Sequence, residues 1–340
     1  MIFDNRKKRR LLRRSLRVAL FTLGFSSTLL LIVNFPVEAQ QPKMPRIGVL
    51  VPGGPLYRAI DGLRDELKAL GIEDGKHYSL VIRDTKGDVK TAEQAAKSFE
   101  QDKVNLIYAL STPVITAAKA ATVNTPIVFC IGSDPVTGGL VDSFVKPGGR
   151  LTGVHFLVRD LTAKRLEILK EIVPKLNRVV TFYDPTDRVA SEATALARGE
   201  AKRLGLKLLA RQVGSVDELR SELQALKPRE AEAFLFSADT RIAGQAQLII
   251  DTAKIKKLPT MFQEQSLVSK GGLASYGQNY YEIGRLSAKY VRRVLDRTHT
   301  KDLKIETVEN VELAINLQTA RDLGLTVPAQ VLARAQKVVK

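Results

Sequence analysis

From Arg46 onward the sequence keeps returning to one unit: a short β-rich run, a turn, then a segment whose apolar residues recur at helical spacing. Ile47-Gly48-Val49-Leu50-Val51 is apolar throughout, the mark of a strand covered on both faces. A helix over Leu56–Leu70 follows, with Ile60, Leu63, Leu67 and Leu70 on one face and Gly71 as its stop. The pattern predicts further strands over Tyr78–Arg83, Val104–Leu110, Pro126–Ile131 and Leu151–Phe156, separated by helices over Val89–Lys103 and Val114–Thr122. A second series starts after a helix over Leu161–Val173. Its strands are expected at Arg178–Tyr183, Lys207–Val213, Ala233–Phe236, Thr260–Gln263 and Leu273–Tyr276. Helices over Ser191–Leu204, Val216–Leu226 and Ile242–Lys256 divide them, and a long helix over Tyr280–Arg297 leads into a mixed C-terminal stretch.

Strands that alternate with helices run parallel, because each return to the sheet takes a right-handed helical crossover. Two such series imply an α/β chain of two doubly wound parallel-sheet lobes. No Gly/Ser-rich or Pro-rich linker parts them, so the chain is expected to cross at three short hinge segments. These fall near Val158–Leu161, near Tyr276–Gln278 and within Lys304–Glu309. The first lobe then comprises residues 44–158 plus 277–306, and the second residues 159–276 plus 307–340. Ligands of open parallel sheets collect at the carboxyl ends of the strands, so two facing sheets predict a cleft between the lobes.

The residues before this pattern are of another kind. Arg6, Lys7, Lys8, Arg9, Arg10, Arg13, Arg14 and Arg17 precede an apolar run from Val18 to Val33, and Pro36-Val37-Glu38-Ala39-Gln40 supplies a small-residue site. This order reads as a secretory signal peptide over residues 1–39. The run is broken by Ser26, Ser27 and Thr28 and is short of the ~20 residues of a permanent span. The expectation is a protein exported to the periplasm, and with no cysteine near the cleavage site it is not a lipoprotein. The leader also accounts for part of the net charge of +17. Elsewhere Lys and Arg are interspersed with Glu and Asp, without the basic stripe and interleaved aromatics of a nucleic-acid partner.

The inventory of reactive groups is sparse. One cysteine, Cys130, rules out an intramolecular disulfide, and its apolar strand suits a small buried side chain. His77, His155 and His299 lack metal-ligand spacing. There is no G-x-S-x-G elbow, G-x-x-x-x-G-K-[ST] loop or G-x-G-x-x-G turn. Pro52-Gly53-Gly54-Pro55 occupies the place of a dinucleotide turn, but with proline at both ends. No catalytic residue, metal or cofactor is expected.

The strand ends offer binding groups instead. Ser111-Thr112-Pro113 opens a helix with two hydroxyls and a proline. It suits a carboxylate, since free N–H groups gather at a helix N-terminus; alternatively the hydroxyls cap their own helix. Asp134 ends the next strand, either as an acceptor for a ligand ammonium or as part of an Asp-Pro turn. Donors for a carboxylate beside an acid for an amine favour an amino-acid-like ligand. In the second lobe Tyr183, Asp184, Ser237 and Asp239 stand at strand ends, as ligand contacts or helix caps. Tyr57 and Tyr276 stack on a ligand or pack at the hinge.

Five segments carry a resemblance: P-I-V-F-C-I-G-S-D-P-V-T-G-G-L-V (126–141), K-P-G-G-R-L-T-G-V (146–154), K-R-L-E-I-L-K-E-I-V-P (164–174), G-G-L-A-S-Y-G (271–277) and V-E-L-A-I-N-L-Q-T-A-R-D-L-G-L-T-V-P (311–328). Through them the chain resembles the substrate-binding proteins of ABC transporters, in the branch grouped with tryptophan/tyrosine-type binding proteins. The resemblance implies a type I periplasmic binding protein fold and a monomer that hands a small solute to an ABC permease in the inner membrane. It also implies first-lobe ligand contacts at Ser111, Thr112 and Asp134, and second-lobe contacts at Asp184 and Tyr276. The turns at Asp184–Arg188 and Ser237–Arg241 and the run Gln263–Gln265 carry no signature that names the ligand. Two other classes stay open: a periplasmic module that reports its ligand to a receptor or kinase, and an exported enzyme on the same fold.

Overall fold

The computed structural model describes residues 44–156, 161–227 and 229–340. The expected signal peptide lies outside the described residues, and so does the first expected crossing except for Leu161. The first series forms β1 (Arg46–Val51), β2 (Ser79–Asp84), β3 (Leu106–Leu110), β4 (Ile127–Ile131) and β5 (Leu151–Phe156). The second forms β6 (Arg178–Tyr183), β7 (Lys207–Gln212), β8 (Ala233–Leu235), β9 (Thr260–Phe262) and β10 (Ala274–Gly277). Three strands from the C-terminal stretch complete the set: β11 (Glu306–Val308), β12 (Glu312–Asn316) and β13 (Lys337–Val339).

The fold is α/β, with two sheets. One runs β11-β5-β4-β3-β1-β2 and the other β13-β12-β10-β9-β8-β6-β7. The first sheet is parallel throughout. The second contains one antiparallel pair, β10 with β12, which periodicity could not foresee, because β12 returns from the other sheet without a crossover helix of its own. Every residue of β3, β4 and β5 is buried, as expected of strands with helices on both faces.

Order along the chain does not decide which lobe an element joins. The helix Tyr280–Leu295 follows β10 of the second sheet, yet packs against the helix Tyr57–Ala69 of the first lobe. Its Ile283, Tyr290 and Val291 share a core with Ile47, Val49, Ile60 and Leu63. The chain therefore changes lobes after Gly277, and again between β11 and β12.

Several helix boundaries differ from periodicity, among them a helix that starts at Thr112 rather than Val114. A 3-10 turn, Gly54–Leu56, precedes the first helix. The helix expected from Ser191 starts at Arg188, because the Asp187 carboxylate accepts from the N–H groups of Val189 and Ala190. The helix expected over Ile242–Lys256 is two, Thr240–Gly244 and Ala246–Lys256. The short first piece packs on the Gly54–Leu56 turn of the other lobe.

Candidate functional site

Loops at the carboxyl ends of both sheets enclose a cleft of about 610 Å3. The first lobe lines it with Thr112, Pro113 and Thr116 of the helix after β3, and with Thr137 and Gly138 after β4. The second lobe supplies Asp184 and Asp187 from the turn after β6, and Asp239 and Arg241 from the turn after β8. A smaller chamber of about 50 Å3 opens from it, sharing Thr112, Pro113, Val189, Asp239 and Thr240. Its other walls include Ser111, Leu56, Phe156, Phe236 and Tyr280. One site thus combines a polar mouth with an aromatic back.

The lobes meet along one side. A Cβ on Gly54 would stand 2.1 Å from the Ala243 carbonyl oxygen, and one on Gly87 would stand 2.6 Å from the Arg241 Cα. Only glycine allows backbone to approach so closely.

The first-lobe edge is built around a strained residue. Ser111 sits at φ 77, ψ 148, a region essentially reserved for glycine and costing a side chain about 1–3 kcal/mol. Its side chain makes no cap bond to the helix behind it, and its Oγ is buried without a partner. The self-capping alternative is therefore not what the structure shows. Thr112 Oγ1 lies 3.0 Å from Ser133 Oγ. The helix Thr112–Ala121 points its N-terminus at the cleft, where its dipole favours negative charge.

The second-lobe edge is an acidic network held by backbone donors. The Asp184 N–H donates to Asp239 Oδ2 at 2.6 Å, and the Ile242 N–H to Asp239 Oδ1 at 2.8 Å. Asp184 accepts from the Thr186 N–H and hydroxyl through Oδ1 and pairs with Arg241 through Oδ2 at 2.9 Å. Burial, reinforced by repulsion from Asp187, pushes the Asp239 carboxyl up to about 7. Burial likewise raises Asp187. Asp184, Asp187 and Asp239 thus gather at one edge of the cleft, with Arg241 paired to Asp184, an arrangement suited to a ligand ammonium. Among the described residues no grouping of histidine, cysteine and acidic side chains could hold a metal ion.

Of the residues that the sequence singled out, Ser111, Thr112, Asp184 and Asp239 come together here. The others stand outside. The Tyr57 hydroxyl donates to Asp84 Oδ2 at 3.2 Å on the surface of the first lobe. Asp134 is exposed, its Oδ1 taken by the N–H groups of Val136 and Thr137 at 2.8 and 3.3 Å. It caps its own turn, which is the alternative the Asp-Pro pair offered. The Tyr183 hydroxyl accepts from Gln212 Nε2 at 3.1 Å, and Ser237 Oγ is 2.8 Å from Thr194 Oγ1 inside the lobe. Tyr276 contributes its carbonyl oxygen to the Arg165 Nε at 2.7 Å. Asp187, Arg241 and the chamber's aromatic walls were not singled out. Their signal was faint: an acid just ahead of a helix, a basic residue two places after Asp239, aromatics at strand ends.

Residues 46–339 match the family described as ABC transporter substrate binding protein. The chain belongs to that family. Its members are substrate-binding proteins and not enzymes, typically extracellular or periplasmic. Among the described residues no helix is long and apolar enough to cross a membrane. A tyrosine-binding protein of Clostridioides difficile (strain R20291) is 27% identical over 293 residues, spanning 86% of this chain and 84% of that one. A conserved domain protein from Vibrio cholerae, solved by crystallography, is 29% identical with a TM-score of 0.76, covering 87% of this chain and all of the other. The ABC domain of a Streptococcus pneumonia protein in complex with L-Trp has the same fold, at 24% identity, a TM-score of 0.75 and the same coverage. Type I periplasmic binding proteins are thus the structural class of this substrate-binding protein.

Proposed function

We propose that this protein captures an amino acid with a ring-bearing, apolar side chain in the interlobe cleft and delivers it to the permease of an ABC importer. The ligand carboxylate meets the N-terminus of the helix Thr112–Ala121 and the free Ser111 hydroxyl. Its ammonium meets Asp239 and Asp184. The side chain lies in the larger cleft, against the chamber walled by Leu56, Phe156, Phe236 and Tyr280. One observation carries this reading: a strained Ser111, whose hydroxyl has no partner among the described residues, shares one cavity with the buried Asp239 carboxyl, which among the described residues has no ion-pair partner. The tyrosine-binding relative supports the ligand class. Ligand contacts from both lobes stabilise the closed state over the open one, which is how capture becomes a signal to a partner.

In this reading residues 1–39 direct export to the periplasm, the mature protein is a monomer without a lipid anchor, and the inner-membrane permease recognises the joint surface of the closed lobes. The lobes comprise residues 44–158 plus 277–306, and 159–276 plus 307–340. Calorimetric titration of the purified protein with L-tyrosine tests it. The expected result is one-to-one binding near 1 μM, about 8 kcal/mol, with about 2.7 kcal/mol of added stability at a hundredfold excess over Kd. The absence of binding to any aromatic or large apolar amino acid overturns the reading.

A further inference from the structure

The cleft takes up the carboxyl ends of the strands, and the opposite ends of the second sheet carry a different surface. β9, β8, β6 and β7 lie side by side and parallel, so the turns that enter them gather along one edge. Hydrogen bonds tie those turns together. The Lys207 N–H donates to the Asn177 carbonyl at 2.8 Å, and Lys256 Nζ to the carbonyls of Gln224 and Leu226 at 3.2 and 2.8 Å. Lys175, Lys202, Lys207, Arg229, Lys254 and Lys257 all stand exposed on this edge. Among the described residues none of these six side chains has a hydrogen-bond or ion-pair partner.

The carboxylates at this edge are already matched: Glu232 with Arg178 at 2.6 Å, Glu200 with Arg203 at 2.6 Å, and Glu230 with Arg211 at 2.5 Å. The six cations are therefore excess charge. Four separate stretches of sequence contribute them, which is why no basic run marks them along the chain. The corresponding strand starts in the first lobe are mixed. There Arg46 faces Asp102 at 3.7 Å and Lys76 pairs with Glu73 at 2.8 Å.

Helix dipoles favour cations at helix C-termini, which accounts for Lys202, Lys254 and Lys257. They do not account for Lys175 and Arg229 in turns, or for Lys207 at a strand start. Nor do they account for Ile255, which is 83% exposed in the last turn of the helix Ala246–Lys256. An apolar side chain among free cations suits a bilayer of anionic lipid. The cations meet the headgroups while the apolar group reaches the acyl boundary beneath them. An acidic protein segment would pair with the charges but gives Ile255 no role.

We propose that this edge of the second lobe rests on an anionic lipid surface, with Ile255 at the contact and the six cations around it. The cleft, at the other ends of the same strands, stays open to solute. Each cation acts within about 8 Å of the lipid phosphates at physiological salt, and several together hold a protein at the surface. The inference does not depend on which solute the cleft takes.

The test is co-sedimentation of the chain from residue 40, whose cores begin at Ile47, with vesicles of defined lipid. One set holds phosphatidylglycerol in phosphatidylcholine and the other phosphatidylcholine alone. Binding to the anionic set should be at least about tenfold stronger and should weaken as salt rises from about 50 to 500 mM. Lys207→Glu with Lys254→Glu should cut that binding about tenfold, and Ile255→Ser about threefold. Lys68→Glu with Lys103→Glu makes the same change of charge at the far end of the first lobe and should leave binding within about twofold. All five side chains are exposed, and thermal unfolding checks that each variant folds. Equal binding to both vesicle sets overturns the proposal. So does an equal loss in the two double variants, which would trace binding to net charge alone.

Discussion

The two edges of the cleft are built from opposite chemistry. The first lobe presents Ser111, Thr112, Thr116 and a helix N-terminus, groups that donate. The second presents Asp184, Asp187 and Asp239, with Arg241 paired to Asp184. A solute with a single kind of charge would satisfy one edge and be rejected by the other. A zwitterion satisfies both, in one orientation only. In the proposed reading the asymmetry supplies selectivity and closure together, because neither lobe would hold the ligand's charges alone.

The largest effect should come from the acidic edge. Asp239→Asn keeps the shape and removes the charge. Loss of one partner from a buried charge pair costs about 2–5 kcal/mol, so L-tyrosine should bind roughly 30-fold more weakly or worse by calorimetry. A loss below about threefold would remove Asp239 from the site and break the contrast between the lobes.

The same carboxyl sets a pH dependence of stability. It is raised from 3.8 to about 7, so between those values the folded protein holds a proton that the unfolded chain has released. Stability of the unliganded protein should then fall as pH rises from about 4 to 7 and level off above. Thermal unfolding across that range should show this component in wild type and lack it in Asp239→Asn. An unchanged profile in the variant would assign the slope to other groups.

Closure can be probed apart from charge. Gly54→Ala places a methyl against the Ala243 carbonyl and should weaken tyrosine about tenfold while each lobe keeps its fold by circular dichroism. Wild-type affinity in this variant would show that the contact is dispensable. Ser111→Gly relieves about 1–3 kcal/mol of backbone strain and removes a ligand hydroxyl, so the melting temperature should rise by several degrees while affinity drops about fivefold. A fall in both would mean that Ser111 serves the fold. Smallest of all, Asp134→Ala should leave affinity within about twofold, because its carboxylate serves Val136 and Thr137.

Much of the architecture was legible because buried parallel strands and amphipathic helices leave distinct periods. Ile47–Val51, Pro126–Ile131 and Leu151–Phe156 could hardly be anything but covered strands, and Ser111-Thr112-Pro113 announced a helix start. Acids at strand ends were harder to sort. Asp134 and Asp239 look alike in sequence, each closing a strand and each capping the turn or helix that follows, yet Asp134 is exposed whereas Asp239 is 1% exposed and also accepts from the Asp184 N–H.

The residues alone determined that this chain forms two sheets wound with helices, because the period of apolar side chains depends only on neighbours a few positions away. They also determined which strand ends carry hydroxyls and acids. What tertiary structure decided is which of those ends share a cavity and which hydroxyls and acids are left to line it. Burial and countercharge arise between segments more than 50 residues apart, as when the Asp184 N–H meets Asp239, and no local pattern records such a meeting.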